Sequence, residues 1–157
     1  PQTHWSQVRH YQQAEILPLM AADISIIKDS IKGAERNISL IITPQRPLNL
    51  IQLATFEHID IKRLSVNGQN FSKHGKLIQS SFNQGFFFRY IMSSPLEVLR
   101  LDMTIVNKGE VSIKVFESAF DLFERFEDIK PRDDIFMPEP FMINDATIIG
   151  QTLMLAE

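Results

Sequence analysis

The sequence predicts an all-β fold, an antiparallel β-sandwich of jelly-roll or Ig-like type, preceded by a short N-terminal helix or linker. Three observations predict it. Short runs rich in Ile, Val, Leu and Phe recur between turn residues. The clearest of them alternates apolar and polar residues with a period of two. Nothing after Pro18 carries a helical period long enough to cover a parallel sheet. The 157 residues divide into a linker or short helix, 1–17, and one sandwich domain, 18–157; a chain of this size buries about 68–70% of its unfolded surface, enough for a core without staples.

From Thr3 to Leu17, Trp5, Val8, Tyr11 or Gln12, and Ile16 stand at loosely helical spacing, and Pro18 closes the segment. The strand series then begins with ADISIIKD, RNISLIITP and NLIQLATF. In IDIKRLSV the apolar phase runs through Ile59 and Ile61 and slips to Leu64 and Val66, so one extra residue, a β-bulge, is expected near Lys62-Arg63. Asn67-Gly68 supplies the next turn. GFFFRYIM is followed by Leu99, Leu101, Met103 and Ile105 on one face, with Arg100, Asp102 and Thr104 on the other. Val111, Ile113 and Val115 continue the alternation, and Asn107-Lys108-Gly109-Glu110 between them is short enough for a hairpin with Gly109 at positive φ. Glu124 to Met137 breaks the pattern and reads as an irregular crossover loop. A closing strand, Ala146 to Leu155, carries apolar residues on both faces and is expected inside a sheet.

A net charge of -3 and a pI near 5.8 offer no attraction for phosphate backbones, so nucleic acid is not an expected partner. No apolar run approaches the roughly 20 residues a membrane-spanning helix needs. Pro1-Gln-Thr-His-Trp5 is neither a signal peptide nor a native start, which fits a cut fragment, tag removal or processing alike. The absence of cysteine removes disulfides, thiolate metal sites and a cysteine nucleophile.

The residues that carry chemistry elsewhere are scattered here. His4, His10, His58 and His74 lack metal-ligand spacing, and no metal or cofactor is expected in the chain. Glu124, Glu127, Asp128, Asp133 and Asp134 lack the spacing of a calcium loop and have Arg125, Lys130 and Arg132 among them, so they read as a solvated loop. No Gly-x-Ser-x-Gly, phosphate loop or Ser-x-x-Lys motif occurs, and an active site is not expected. In GFFFRY, alternation sends Phe86 and Phe88 to one face and Phe87 to the other; one side is core, and Phe87 is the candidate aromatic for sugar stacking. Asn37-Ile-Ser39 and Asn70-Phe-Ser72 match the glycosylation sequon.

The blocks LPLMAADISIIKDSI, RNISLIITPQRPLNLIQL, LSVNG, GFFFRYIMSSPLEVLRLDMTI, VSIKVFESAFDL and MPEPFMINDATIIGQTLML, in that order from Leu17 to Leu155, resemble the C-terminal domain of membrane-embedded zinc metallopeptidases. These belong to metallopeptidase family twenty-eight, the aminopeptidase type that includes the endoplasmic reticulum metallopeptidase. The most specific block joins Pro138 and Pro140 to Asn144, Asp145, Thr147 and Gln151, similar to the family's proline-rich loop, Asp-Thr step and final strand. Two departures stand out: Ser118-Ala-Phe-Asp-Leu-Phe123 replaces the family's Ser-Tyr-Gly-Leu-Pro, and Phe86 or Phe87 stands where a Trp is expected.

The resemblance implies a non-catalytic module in the periplasm or an organelle lumen, tethered through the parent's transmembrane helices. Zinc and its ligands would sit in a separate catalytic peptidase domain of the same parent chain, the expected partner. A carbohydrate-binding module, with peptide or glycan as ligand, is the alternative, and a free-standing small enzyme the third reading.

Overall fold

The computed structural model describes residues 13, 16–55, 59–71, 78–79, 86–106, 109–131, 133, 135 and 143–155. The segment expected to be a linker or helix, 1–17, falls almost wholly outside these residues. Apart from one short helix, the regular structure of the described residues is two antiparallel sheets. The first has the order β1 (Asp23–Lys32), β2 (Glu35–Thr43), β8 (Leu99–Val106), β4 (Asp60–Val66), β5 (Gln69–Asn70), with β6 (Ile78–Gln79) also paired to β4. The second has the order β10 (Thr147–Leu155), β9 (Val111–Ala119), β3 (Leu50–Ala54), β7 (Phe86–Ile91). A single turn of helix, α1 (Leu122–Arg125), follows β9. The architecture is therefore the all-β sandwich that the strand periodicity predicts.

Alternation explains the core. Ile38, Leu40 and Ile42 of β2, Leu99, Leu101, Met103 and Ile105 of β8, and Leu64 and Val66 of β4 point inward from the first sheet. Ile51, Leu53, Val111, Ile113 and Val115 meet them from the second, and all belong to one buried cluster. The bulge expected near Lys62 is present: Ile61 pairs with Ile105 and Arg63 with Thr104, leaving Lys62 as the extra residue. Without it, Leu64 would face solvent. A second bulge lies in β1, where Ile26 pairs with Leu40 and Lys28 with Ser39, leaving Ile27 unmatched. A third separates Leu53 from Ala54 opposite Phe88 and Phe86. The two-residue turn Asn67-Gly68 takes positive φ at both positions, 48° and 81°, as a type I′ hairpin between β4 and β5 requires.

Two topological expectations are corrected. Asn107 to Glu110 does not close a hairpin, because β8 belongs to the first sheet and β9 to the second. The connection instead crosses the sandwich, its residues 107–108 lying outside the described set. A tight turn composition sets where the chain reverses, not which sheet receives the next strand. The closing strand is an edge strand, bonded to β9 alone among the described strands. Thr147, Ile149, Gln151, Leu153 and Leu155 do share the inward face, but Ile148 and Met154 are exposed rather than covered by a third layer.

Polar clasps hold both ends. The Glu97 carboxylate accepts from Tyr90 Oη (2.8 Å), Asn67 Nδ2 (3.1 Å), and the Ser93 amide (2.9 Å) and hydroxyl (2.6 Å), joining the β7–β8 connection to the β4–β5 turn. The Ser93 and Tyr90 hydrogen bonds hold this carboxyl below its ordinary value despite some desolvation. At the other end Arg36, 1% exposed, donates to both Asp29 oxygens (2.7 and 2.6 Å) and to the Gly109 carbonyl (3.0 Å).

Candidate functional site

Thr147 and Gln151, singled out in the closing block, enter a buried polar network that ties β10 to the rest of the sandwich. Thr147 Oγ1 accepts from Arg46 (3.0 Å) and donates to Asp121 Oδ1 (2.5 Å). Arg46, 5% exposed, also reaches the Glu117 carbonyl at 3.4 Å and lies 3.8 Å from Asp121, which receives Arg125 Nε at 2.9 Å. Gln151 Nε2 donates to the Ala22 carbonyl (2.8 Å) and to Glu117 Oε1 (3.3 Å), and Ala22 N donates to the same oxygen at 2.9 Å. Glu117 is fully buried, with Oε2 unpartnered among the described residues.

This arrangement fastens the entry to β1, the β2–β3 connection and the start of α1 onto one edge of the second sheet. Both of its cations, Arg46 and Arg125, are engaged with a neighbouring strand or carboxylate. Asn144 and Asp145 form the bend before β10, with Asp145 at φ 53° and its carbonyl accepting from Leu122 N at 3.2 Å. Pro138 and Pro140 lie outside the described residues, as do all four histidines and Asp134. Among the described residues no three His, Cys, Asp or Glu side chains converge as a metal site, and no helix is long and apolar enough to cross a membrane.

Asp121 gives the network a pH signature. Burial raises its pKa, but hydrogen bonds from Thr147 and Arg125 and the charges of Arg125 and Arg46 outweigh that and hold it below the usual 3.8. A carboxyl depressed by folding contributes stability above its unfolded pKa, about 3.9, and that contribution disappears as pH falls through the folded value. Urea unfolding between about pH 6 and pH 2.5 is expected to show a steeper loss below about pH 4 for the native chain than for Asp121→Asn. Superimposable pH profiles would remove Asp121 from the account.

The aromatic run departs from simple alternation because the β7 bulge falls within it. Phe88 is core, at 8% exposure, and Phe87 is half-buried and packed against the core. Phe86 is the exposed ring, 43% accessible and tilted against Phe116 with centroids 5.5 Å apart. Phe116 in turn lies over Gly150, where an added Cβ would stand 3.2 Å from the ring. These residues belong to the outer face of the second sheet, which also presents Ile91, Ile148 and Met154, at 77%, 53% and 59% exposure.

The outer face of the first sheet is different in kind. A groove of about 380 Å³ crosses it, floored by side chains that point away from the core. The register lines them up in two rows: Lys28, Ser39, Asp102, Ser65 and Asn70 run across β1, β2, β8, β4 and β5, and Asn37, Thr104 and Arg63 run beside them. The floor is internally bonded, with Ser39 Oγ donating to Asp102 Oδ1 (2.6 Å) and Thr104 Oγ1 to Asn37 Oδ1 (3.0 Å). Ser39, outward-facing on its strand, is nevertheless only 7% exposed. Arg100 neutralises Asp102 through contacts of 3.1 and 3.3 Å. The Ser39 hydroxyl first, then Arg100 and the charge of Lys28, hold the Asp102 carboxyl below its ordinary value. Asn37 and Asn70, the sequon residues, both line this groove.

Sequence reasoning singled out none of Arg36, Arg46, Glu117 or Lys28, and Arg63 only as the place of a bulge. A signal existed for two of them: Arg36 is in phase with Ile38, Leu40 and Ile42, and Glu117 with Val111, Ile113 and Val115, so each is a charge at an inward position. Comparisons of the chain with known protein families, with curated proteins and with solved structures found no match.

Proposed function

We propose that the chain is a non-catalytic, extracytoplasmic accessory domain of a membrane-anchored zinc-dependent peptidase of the aminopeptidase type, docking onto the catalytic domain of its own parent chain. The resemblance of the blocks from Leu17 to Leu155 supports the family. The observation that carries the role is the outer face of the second sheet, where the exposed Phe86, Ile91, Ile148 and Met154 and the half-buried Phe116 place several apolar side chains on one sheet face. Isolated exposed apolar residues need no explanation, but several on one sheet face suit a protein contact. Covering a side chain of this size contributes roughly 1.5–3 kcal/mol when burial is complete.

In this reading zinc and its ligands belong to the catalytic domain, and the membrane tether to the parent's helices. The polar network around Arg46 and Glu117 keeps the docking face rigid. A stacking role for Phe87 has less support, because its ring rests against the core and Phe86 is the ring that solvent reaches.

Calorimetric titration of the separately purified catalytic domain with this domain tests the proposal. Binding is expected, and a Phe86→Ser, Ile148→Ser, Met154→Ser variant is expected to weaken it at least about tenfold, as loss of a central apolar patch does. A variant that binds as tightly as the native domain, or a parent gene without a peptidase domain, would end this reading.

A further inference from the structure

We infer that the groove on the outer face of the first sheet is a binding site for an acidic oligosaccharide, with Lys28 and Arg63 contacting its carboxylates and the polar rows between them its hydroxyls. This rests on the first sheet alone and is independent of the docking role proposed for the second.

The two bulges are the first argument. In β1 the extra residue Ile27 shifts the phase, so Lys28 rather than Ile27 stands opposite Ser39. In β4 the extra residue Lys62 does the same, and Arg63 stands opposite Thr104. The β1 irregularity thus puts a cation where Ile27 would stand, and the β4 irregularity puts Arg63 in place of Lys62 on the opposite side of the same groove, in keeping with the use of bulges beside binding sites. Both cations are exposed, and neither makes an ion pair among the described residues. Acids that feel their charge are engaged with other groups: Asp102 with Arg100 and Ser39, and Glu35 with Lys62 at 2.6 Å.

The second argument is the floor. Between the cations lie hydroxyls and amides that both donate and accept, already oriented by their own hydrogen bonds, as preorganised recognition of vicinal hydroxyls requires. From Lys28 to Asn70 the row crosses four strand spacings, about 19 Å, a length that takes a chain of sugars rather than one ring. The volume of about 380 Å³ falls among small-ligand sites.

The same lining disfavours other ligands. Among the described residues no aromatic ring lines the groove, so what they offer a ligand is charge and hydrogen bonds rather than base or sugar stacking. Its apolar members, Ile38, Leu64 and Met103, are buried core residues, so peptide side chains find no apolar pocket. Every strand beneath Ser39, Asp102 and Ser65 is paired on both sides, which leaves no backbone edge for a peptide strand.

Isothermal titration with a uronic acid tetrasaccharide, its carboxyl-reduced neutral counterpart, and inorganic sulfate separates the outcomes. The acidic tetrasaccharide is expected to bind, more weakly as salt rises, and the neutral one and sulfate to bind at least tenfold more weakly. Lys28→Ala and Arg63→Ala are each expected to lower affinity for the acidic ligand about tenfold, and Thr104→Val severalfold. Unchanged thermal unfolding of the two exposed-cation variants would tie those losses to contact with the ligand. No measurable binding of the acidic tetrasaccharide, equal binding of the neutral one, binding of sulfate just as tight, or indifference to both cation substitutions would each overturn the assignment. None of these results bears on the apolar face of the other sheet.

Discussion

Replacing Arg36 with Ala is expected to lower the free energy of unfolding by roughly 3–5 kcal/mol, among the largest effects of any single substitution in the chain. The guanidinium is 1% exposed and donates to the Asp29 carboxylate at 2.7 and 2.6 Å and to the Gly109 carbonyl at 3.0 Å. Removing it strips the Asp29 carboxylate of its bidentate partner and takes a donor from the connection that carries the chain from β8 to β9. The Asp29 side chain keeps one-quarter of its surface in water, so partial rehydration favours the lower end of that range. The pair is then expected to be strongly non-additive. In urea unfolding, Arg36→Met combined with Asp29→Leu should cost less than the sum of the single substitutions by at least about 1 kcal/mol, because the second change removes the stranded charge. Additivity would mean that the two side chains contribute independently.

The same pair shows how a sequence conceals its polar architecture. Asp29 faces inward only because Ile27 is unmatched in β1; before that bulge the inward residues are Ile24 and Ile26, and after it Asp29 and Ile31. The equivalent slip in β4 was legible because Ile61, Leu64 and Val66 are core residues whose phase must be kept. In β1 it was not, since that strand overhangs the sandwich, nearly every residue is exposed, and Ile26 beside Ile27 blurs the phase. Strand existence was legible throughout for a simple reason: period-two alternation is a local property. Sheet membership is not local, which is why Asn107 to Glu110 looked like a hairpin and β10 like an interior strand. Apolar residues on both faces of β10 reflect an uncovered outer face rather than a buried one.

The candidate sites follow the same division. Thr147 and Gln151 were reached through a resemblance, but their partners Arg46, Asp121 and Glu117 come from other elements and share no sequence spacing. The groove was invisible for a related reason. Its rows run perpendicular to the strands, so neighbours such as Ser39, Asp102 and Ser65 are far apart in sequence and adjacent only through register. Phe87 illustrates the opposite hazard: alternation assigned it a face, but Phe87 is itself the extra residue of the β7 bulge, which changed which ring solvent reaches.

Leu101→Ala is the second large effect expected, roughly 3–5 kcal/mol, and its size depends on where β8 sits. Leu101 is fully buried and stands in a cross-strand row between Leu40 and Val66, with β8 paired on both sides by β2 and β4. Neither neighbour can move in to fill the space without breaking a ladder, so the lost transfer energy and the cavity term both apply. Leu153 offers the contrast. It is also inward-facing, but it is half-buried on the edge strand β10, where one side of the ladder is open and the strand can shift. Leu153→Ala is expected to cost about 1 kcal/mol. Urea unfolding of the two variants separates a sandwich whose rigidity is concentrated in the β2–β8–β4 core from one in which it is spread evenly; equal losses would favour the second. The distinction reaches the groove as well, because Asp102 and Thr104 ride on the opposite face of β8 from Leu101. A cavity beneath them is expected to loosen the floor that Ser39 and Asn37 otherwise hold in place.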